Sequence, residues 1–236
     1  MEKYDIVYIL KNNWKTDATE LRISLRSVAQ HFPHDRVLFY GGRPKGIEPD
    51  GGQHFEQTEM SRYSRVRESI RRVCEDPDVS DNFWLFNDDF FILKDITEPF
   101  CYDRGQLKKH IRQLYVKYGV QHEYGKMLMK TQAVLEEAGL PTYDYTLHLP
   151  MLVNKEDALD VLDGFAPANV GFRSLYGNAV MLDSETIDDV KISDIKNVPG
   201  EDWTFVSTGD TAFTVGAIGA WLGKRFPEPS RWDTDK

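Results

Sequence analysis

Apolar positions recur along this chain with two spacings, one suited to strands and one to helices. Asp5-Ile6-Val7-Tyr8-Ile9-Leu10 is an apolar run of strand length and composition. A loop at Asn12-Asn13-Trp14 follows. From Thr19, the spacing of Leu21, Leu25 and Val28 predicts a helix, with Ile23 and Ala29 widening its face and Phe32-Pro33 closing it. Arg36-Val37-Leu38-Phe39-Tyr40 predicts a second strand, stopped at Gly41-Gly42. Residues 43–60 have no period and are rich in Gly, Pro and polar side chains, which predicts a long loop. Val66, Ile70 and Val73 define a helix over Ser61–Cys74. After a turn at Asp76-Pro77-Asp78 comes an apolar run from Phe83 to Leu93. This alternation predicts a mainly parallel sheet with helices packed on it.

Beyond it, residues 103–139 read as a helical insertion: Gln106–Tyr118, capped by Asp103, then Tyr124–Ala138, ended by Gly139-Leu140-Pro141. Asn154 caps a short helix over 154–163, with Asp157 at its third position. Trp203–Ser207 predicts a strand, Gly216–Leu222 an apolar closing segment, and Pro227–Lys236 a tail. With no internal repeat or linker, the 236 residues read as one α/β domain.

The acidic run inside Phe83–Leu93 changes the picture most. Asp is depleted from strands, and an unpaired buried carboxylate is costly. The strand is therefore expected to end at Asn87 and deliver Asp88 and Asp89 to a cleft. Adjacent carboxylates there suit a hard cation such as Mg²⁺ or Mn²⁺, which takes oxygen ligands and keeps waters and phosphates in its shell. Arg22, Arg26 and Arg65 lie on the two helices flanking this strand in sequence, and guanidinium forks match phosphate. His148, in an apolar segment before Pro150, is a candidate base. Arg173 lies in a second polar cluster, and Asp210 follows a strand and a glycine as a further carboxylate for the cleft.

A net charge of −9, from 38 acids against 29 bases, disfavours nonspecific nucleic-acid binding as the main role. The one basic run is Arg62, Arg65, Arg67, Arg71 and Arg72. Cys74 and Cys101 fall in no metal-ligand or redox spacing. The amino terminus lacks signal-peptide character and no apolar run is long enough to span a bilayer, so a cytoplasmic protein without a membrane role is expected. Gly41-Gly42 belongs to neither a P-loop nor a dinucleotide fingerprint, and GxSxG, HExxH and zinc-deaminase signatures are missing.

Two stretches carry a resemblance. Leu21-Arg22-Ile23-Ser24-Leu25-Arg26-Ser27 and Asn87-Asp88-Asp89-Phe90-Phe91, in this order over residues 5–93, resemble the Stealth sugar-phosphate transferases. More broadly they resemble nucleotide-sugar transferases of the Rossmann-type GT-A fold. The resemblance implies a UDP- or CMP-linked sugar donor, Mn²⁺ or Mg²⁺ at Asp88 and Asp89, and transfer to a hydroxyl acceptor. It makes residues 1–93 the nucleotide-sugar half, with Asn87 binding substrate, and 94–236 the helical insertion and acceptor half. The family's opening Asp-x-Val-x-x-Trp-Val-Asp is replaced by Asp5-Ile6-Val7-Tyr8-Ile9-Leu10-Lys11-Asn12, which points to glycosyl transfer ahead of phosphosugar transfer. The acceptor is expected to be a glycan or a hydroxymethylated DNA base of the phage-like kind. The alternatives are a Stealth-like sugar-1-phosphate transferase and a non-catalytic nucleotide- or glycan-binding module.

Overall fold

The computed structural model describes residues 2–12, 18–57, 61–119, 122–165 and 169–234. Asn13 and Trp14 of the predicted loop, and residues 58–60, fall outside them. A five-stranded sheet forms the centre. β1 (Asp5–Leu10) pairs in parallel with β2 (Val37–Gly41) on one side and β4 (Asn82–Phe86) on the other. β3 (Gly51–His54) extends the β2 side in parallel, and β7 (Met151–Asn154) closes the β4 side antiparallel, giving the order β3-β2-β1-β4-β7. The fold is mixed α/β with a mainly parallel central sheet.

Both sheet faces are covered, which explains why β1, β2 and β4 are almost continuously apolar. Side chains alternate across a strand. Ile6, Tyr8 and Leu10 therefore pack with Leu21, Leu25 and Val28 of α1 (Thr19–His31). Val7, Phe83 and Leu85 face the other way, onto Ile70 and Val73 of α2 (Arg62–Glu75).

The apolar run Phe83–Leu93 is two strands. β4 ends at Phe86, the chain turns through 87–89, and β5 (Phe90–Ile92) leaves for a second sheet. There it pairs antiparallel with β10 (Phe205–Thr208), which pairs in parallel with β9 (Lys191–Ile192). Helices α7 (Asp210–Val215) and α8 (Ala217–Arg225) supply Ala212, Ile218 and Leu222 to a third core beneath Phe91 and Val206. The helical insertion is present as α3 (Leu107–Tyr118) and α4 (Glu123–Glu137). It follows β6 (Tyr102–Asp103), which pairs with β8 (Glu185–Thr186). α5 (Lys155–Gly164) and α6 (Phe172–Ala179) complete the chain.

Several expectations change. The long loop over 43–60 contains β3, whose Gly51-Gly52-Gln53-His54 has no strand pattern because its side chains are largely exposed and its pairing is by backbone. Asp103 does not cap α3: it is buried and accepts from the Gly105 amide, Ser184 Oγ and Thr186 Oγ1 at 2.6, 2.7 and 2.9 Å. The tail is anchored within its described residues, with Trp232 buried and Asp233 bound to α1. Gly41 has φ +105°, and a Cβ there would stand 2.3 Å from the Leu10 carbonyl oxygen, so only glycine lets β2 end against β1.

Candidate functional site

Strand order reverses between β1 and β4: from β1 the chain moves outward through β2 and β3, then returns to place β4 on the opposite side. In an open α/β sheet, a crevice opens outside the carboxyl ends of the strands at that switch point. The turn Asn87-Asp88-Asp89 leaves β4 there, beside the end of β1. Asn and Asp favour turns because their side chains bond nearby backbone and tolerate unusual dihedrals, so the same residues that stop β4 furnish the crevice.

Helix α1 holds the turn from one side, and its Leu-Arg-x-Ser-Leu-Arg-Ser stretch divides by helical face. Leu21 and Leu25 enter the core. Ser24 Oγ donates to the Phe90 carbonyl at 2.5 Å, and Ser27 Oγ accepts from the Ile92 amide at 3.0 Å, stitching α1 to β5 just after the acids. Arg22 donates to Asp233 Oδ1 and the Gly46 carbonyl, both at 2.9 Å, and Arg26 to Asp233 Oδ2 at 3.3 Å. The sequence assigned these two arginines to phosphate; their hydrogen bonds to Asp233 anchor the carboxyl-terminal segment. Arg65 is half-buried on α2.

Asp89 is asymmetric. Its Oδ2 accepts from Lys191 Nζ at 3.2 Å and Ser207 Oγ at 3.0 Å, whereas its Oδ1 is buried without a hydrogen-bond partner among the described residues. Burial pushes the Asp88 carboxyl up to about 6, with the charges of Asp89 and Asp210 adding and Lys11 opposing. Glu20, in the first turn of α1, accepts from Thr208 Oγ1 and is pushed up to about 7 by burial, that bond opposing and Asp88, Asp89 and Asp210 adding. Glu20 therefore belongs to the acidic site. In sequence it looked like an ordinary acid at a helix start, and only its reach to β10 reveals it. Asp210 is exposed at the start of the six-residue α7.

Arg173 of α6 lies behind the turn. It donates to the Leu149 carbonyl at 2.8 Å and the Leu85 carbonyl at 3.1 Å, with its guanidinium 5.5 Å from the Phe90 ring centre. Burial lowers it to about 10, against the pull of Asp89. It also lines a cavity of about 420 Å³ with Phe100, Tyr102, Tyr145, Leu149 and Met151. Next to Leu149, His148 binds Asp189 through Nδ1 at 2.9 and 3.1 Å. Asp189 carried no sequence signal.

Three of the five arginines of the basic run on α2 are engaged within the protein, two of them by acids. Arg67 donates to the Leu162 and Phe165 carbonyls, Arg71 pairs with Asp163 at 2.6 Å, and Arg72 pairs with Glu68 at 3.0 Å. Among the described residues no group of three or more His, Cys, Asp or Glu side chains is placed to hold a metal ion. The donor set still fits a hard cation. Mg²⁺ is commonly held by one or two carboxylates completed by substrate phosphates and water. Asp89 Oδ1, which has no hydrogen-bond partner among the described residues, and the neighbouring Asp88 carboxyl, raised by burial, are donors of that type. No helix among the described residues is long and apolar enough to cross a membrane.

No protein-family model and no curated protein matches this chain. Among solved structures, the apo form of the glycosyltransferase GlyE of Streptococcus pneumoniae TIGR4 is similar at a TM-score of 0.45 and 10% identity, over 96% of this chain and 61% of that one. A second GlyE structure is similar at a TM-score of 0.35 and 9% identity, over 74% and 42%. The chain thus spans about three-fifths of the length of the first.

Proposed function

We propose that this chain is a glycosyltransferase of the GT-A type that moves a sugar from a nucleotide-sugar donor, with UDP the first nucleotide to test, to a hydroxyl of a glycan acceptor. The observation that carries the reading is Asp89 Oδ1, a buried carboxylate oxygen without a partner among the described residues, at the switch point of a mainly parallel sheet. A buried charge is tolerated only where something completes it.

Asp88 and Asp89 would hold Mg²⁺ or Mn²⁺, which when bound neutralises the charge gathering on a leaving diphosphate. Lys191, already paired with Asp89, would add to that neutralisation. Arg173 keeps the end of β4 and the Leu149 carbonyl in fixed relation, so the acid turn and His148 keep their spacing. Of the two candidate bases, His148 is favoured because a carboxylate fixes its Nδ1 and leaves Nε2 for a substrate proton. In a direct displacement, Nε2 takes the acceptor's hydroxyl proton. The acceptor oxygen bonds the sugar's anomeric carbon, and the nucleoside diphosphate leaves with the electron pair of the broken bond. A glycan is preferred over DNA because the arginines that argued for a DNA surface are largely engaged by Asp163, Glu68 and backbone carbonyls.

The test is a thermal-shift series with UDP, CMP and their sugar conjugates, with and without Mn²⁺. The expected result is a Tm that rises with ligand concentration, as binding to the folded state alone requires, and no rise in Asp89→Asn. If no nucleotide shifts Tm at millimolar concentration, or the double variant Asp88→Ala, Asp89→Ala transfers sugar at the full rate, the reading is wrong. Product analysis separates the chemistry: UDP release marks glycosyl transfer, UMP release phosphosugar transfer.

A further inference from the structure

We infer that Asp189, braced by Arg104, is the positioning residue that holds His148 with its Nε2 edge free for the acceptor. This rests on the transferase reading above and adds to it a residue that no sequence pattern singled out.

The geometry is specific. Asp189 Oδ1 accepts the backbone N–H of His148 at 3.1 Å, while the ring Nδ1 lies 3.1 Å from Oδ1 and 2.9 Å from Oδ2. One carboxylate thereby grips backbone and ring of the same residue and fixes the ring's plane. Among the described residues Nδ1 has no other hydrogen-bond partner. Arg104 Nη1 donates to Asp189 Oδ2 at 3.2 Å and keeps that oxygen ionised. Burial works against the Asp189 charge, but the bonds and charge of His148, with Arg104, hold its carboxyl below the usual range. A carboxylate on Nδ1 selects the tautomer with its proton there, which leaves Nε2 as the basic nitrogen.

The same segment reaches the acid turn. Residue 189 lies two positions before Lys191, the first residue of β9. One meets His148 and the other meets Asp89 at 3.2 Å. The base and the acid turn are thus held in register by three consecutive residues. The other titratable groups near the pair are accounted for. Tyr124 of α4, bonded to Thr146, is kept neutral by burial and by Asp144 and Asp189, and Asp144 is itself paired with His110 at 2.5 Å.

Long-range ¹H–¹⁵N NMR of the full chain reads the His148 tautomer directly, with no substrate present. The wild type is expected to carry the proton on Nδ1. In Asp189→Asn the amide N–H groups face Nδ1, and the proton is expected to move to Nε2. That variant should lose about 10⁴-fold in kcat, with donor KM and Tm nearly unchanged. Asp189→Glu should restore the Nδ1 proton and part of the turnover, which guards against loss from misfolding. An Nε2–H tautomer in the wild type would overturn the inference whatever the protein transfers. So would Asp189→Asn with a moved proton and full kcat. If the wild type shows the Nδ1 proton but turns over no nucleotide sugar, the transferase reading falls, and the assignment of Asp189 to that reaction falls with it.

Discussion

Lys191 Nζ lies 3.2 Å from Asp89 Oδ2, and the other oxygen of that carboxylate is buried without a partner among the described residues. The protein closes one side of Asp89 with its own cation, and under the proposed function the other side would face the metal. Lys191 repels any metal that Asp89 attracts. Lys191→Met is expected to tighten Mn²⁺ binding about fivefold, roughly 1 kcal/mol for a partly screened unit charge, as read by electron paramagnetic resonance of free Mn²⁺. Donor turnover should fall in the same variant. An unchanged Mn²⁺ affinity would place the metal beyond the field of Lys191.

Glu20 makes stability depend on pH in an unusual direction for an acid. Its carboxyl is raised from 4.5 to about 7 on folding, so between those values the folded chain holds a proton that the unfolded chain has released. Stability then falls as pH rises through this window, because the folded state is the one with more protons bound. Glu20→Gln cannot ionise. It should match the wild type near pH 4 and exceed it by about 1–3 kcal/mol at pH 8, measured by urea unfolding. Parallel pH profiles for the two proteins would show that Glu20 titrates normally.

Asp233 joins the carboxyl-terminal segment to α1 through Arg22, Arg26 and the Ser230 amide, the last at 2.7 Å. Asp233→Ala leaves two mostly buried guanidiniums without their shared carboxylate and should cost about 2–4 kcal/mol. Donor KM should stay within about twofold, because this clamp does not touch the acid turn. A large rise in donor KM in Arg26→Ala, with stability intact, would return that arginine to phosphate binding.

Arg173→Lys tests the brace behind the turn. A single ammonium lacks the planar fork that spans the Leu85 and Leu149 carbonyls, so lysine is not a conservative change there. Loss of one such bond should cost about 1–2 kcal/mol. With His148 no longer registered against Asp89, kcat should fall more than donor KM changes. A proportional rise in donor KM with constant kcat would instead make Arg173 a direct ligand of the donor.

The first half of the fold was legible because its strands and helices obey local rules. Leu21, Leu25 and Val28 repeat at helical spacing, and β1, β2 and β4 are apolar because both their faces are covered. The break at Asn87 was legible for a related reason, since consecutive polar turn formers cannot continue a buried strand. β3 was not, because a strand held by backbone bonds with exposed side chains leaves no apolar signature. The roles of the arginines were not legible either. Charge type is visible in a sequence, but whether Arg22 meets a phosphate or Asp233, 211 residues away, depends on where the chain's end returns.

The sequence by itself determined the alternating α/β order and the turn that puts Asp88 and Asp89 at the end of β4, since burial cost and turn chemistry act over a few residues. Only the tertiary structure decided what surrounds those acids. It brought Glu20, Lys191 and Ser207 to them from three separate elements, set Asp189 against His148, and turned Arg22 and Arg26 toward Asp233. Contacts of that kind join residues tens to hundreds of positions apart, and their partners are chosen by how the two sheets pack rather than by any local pattern.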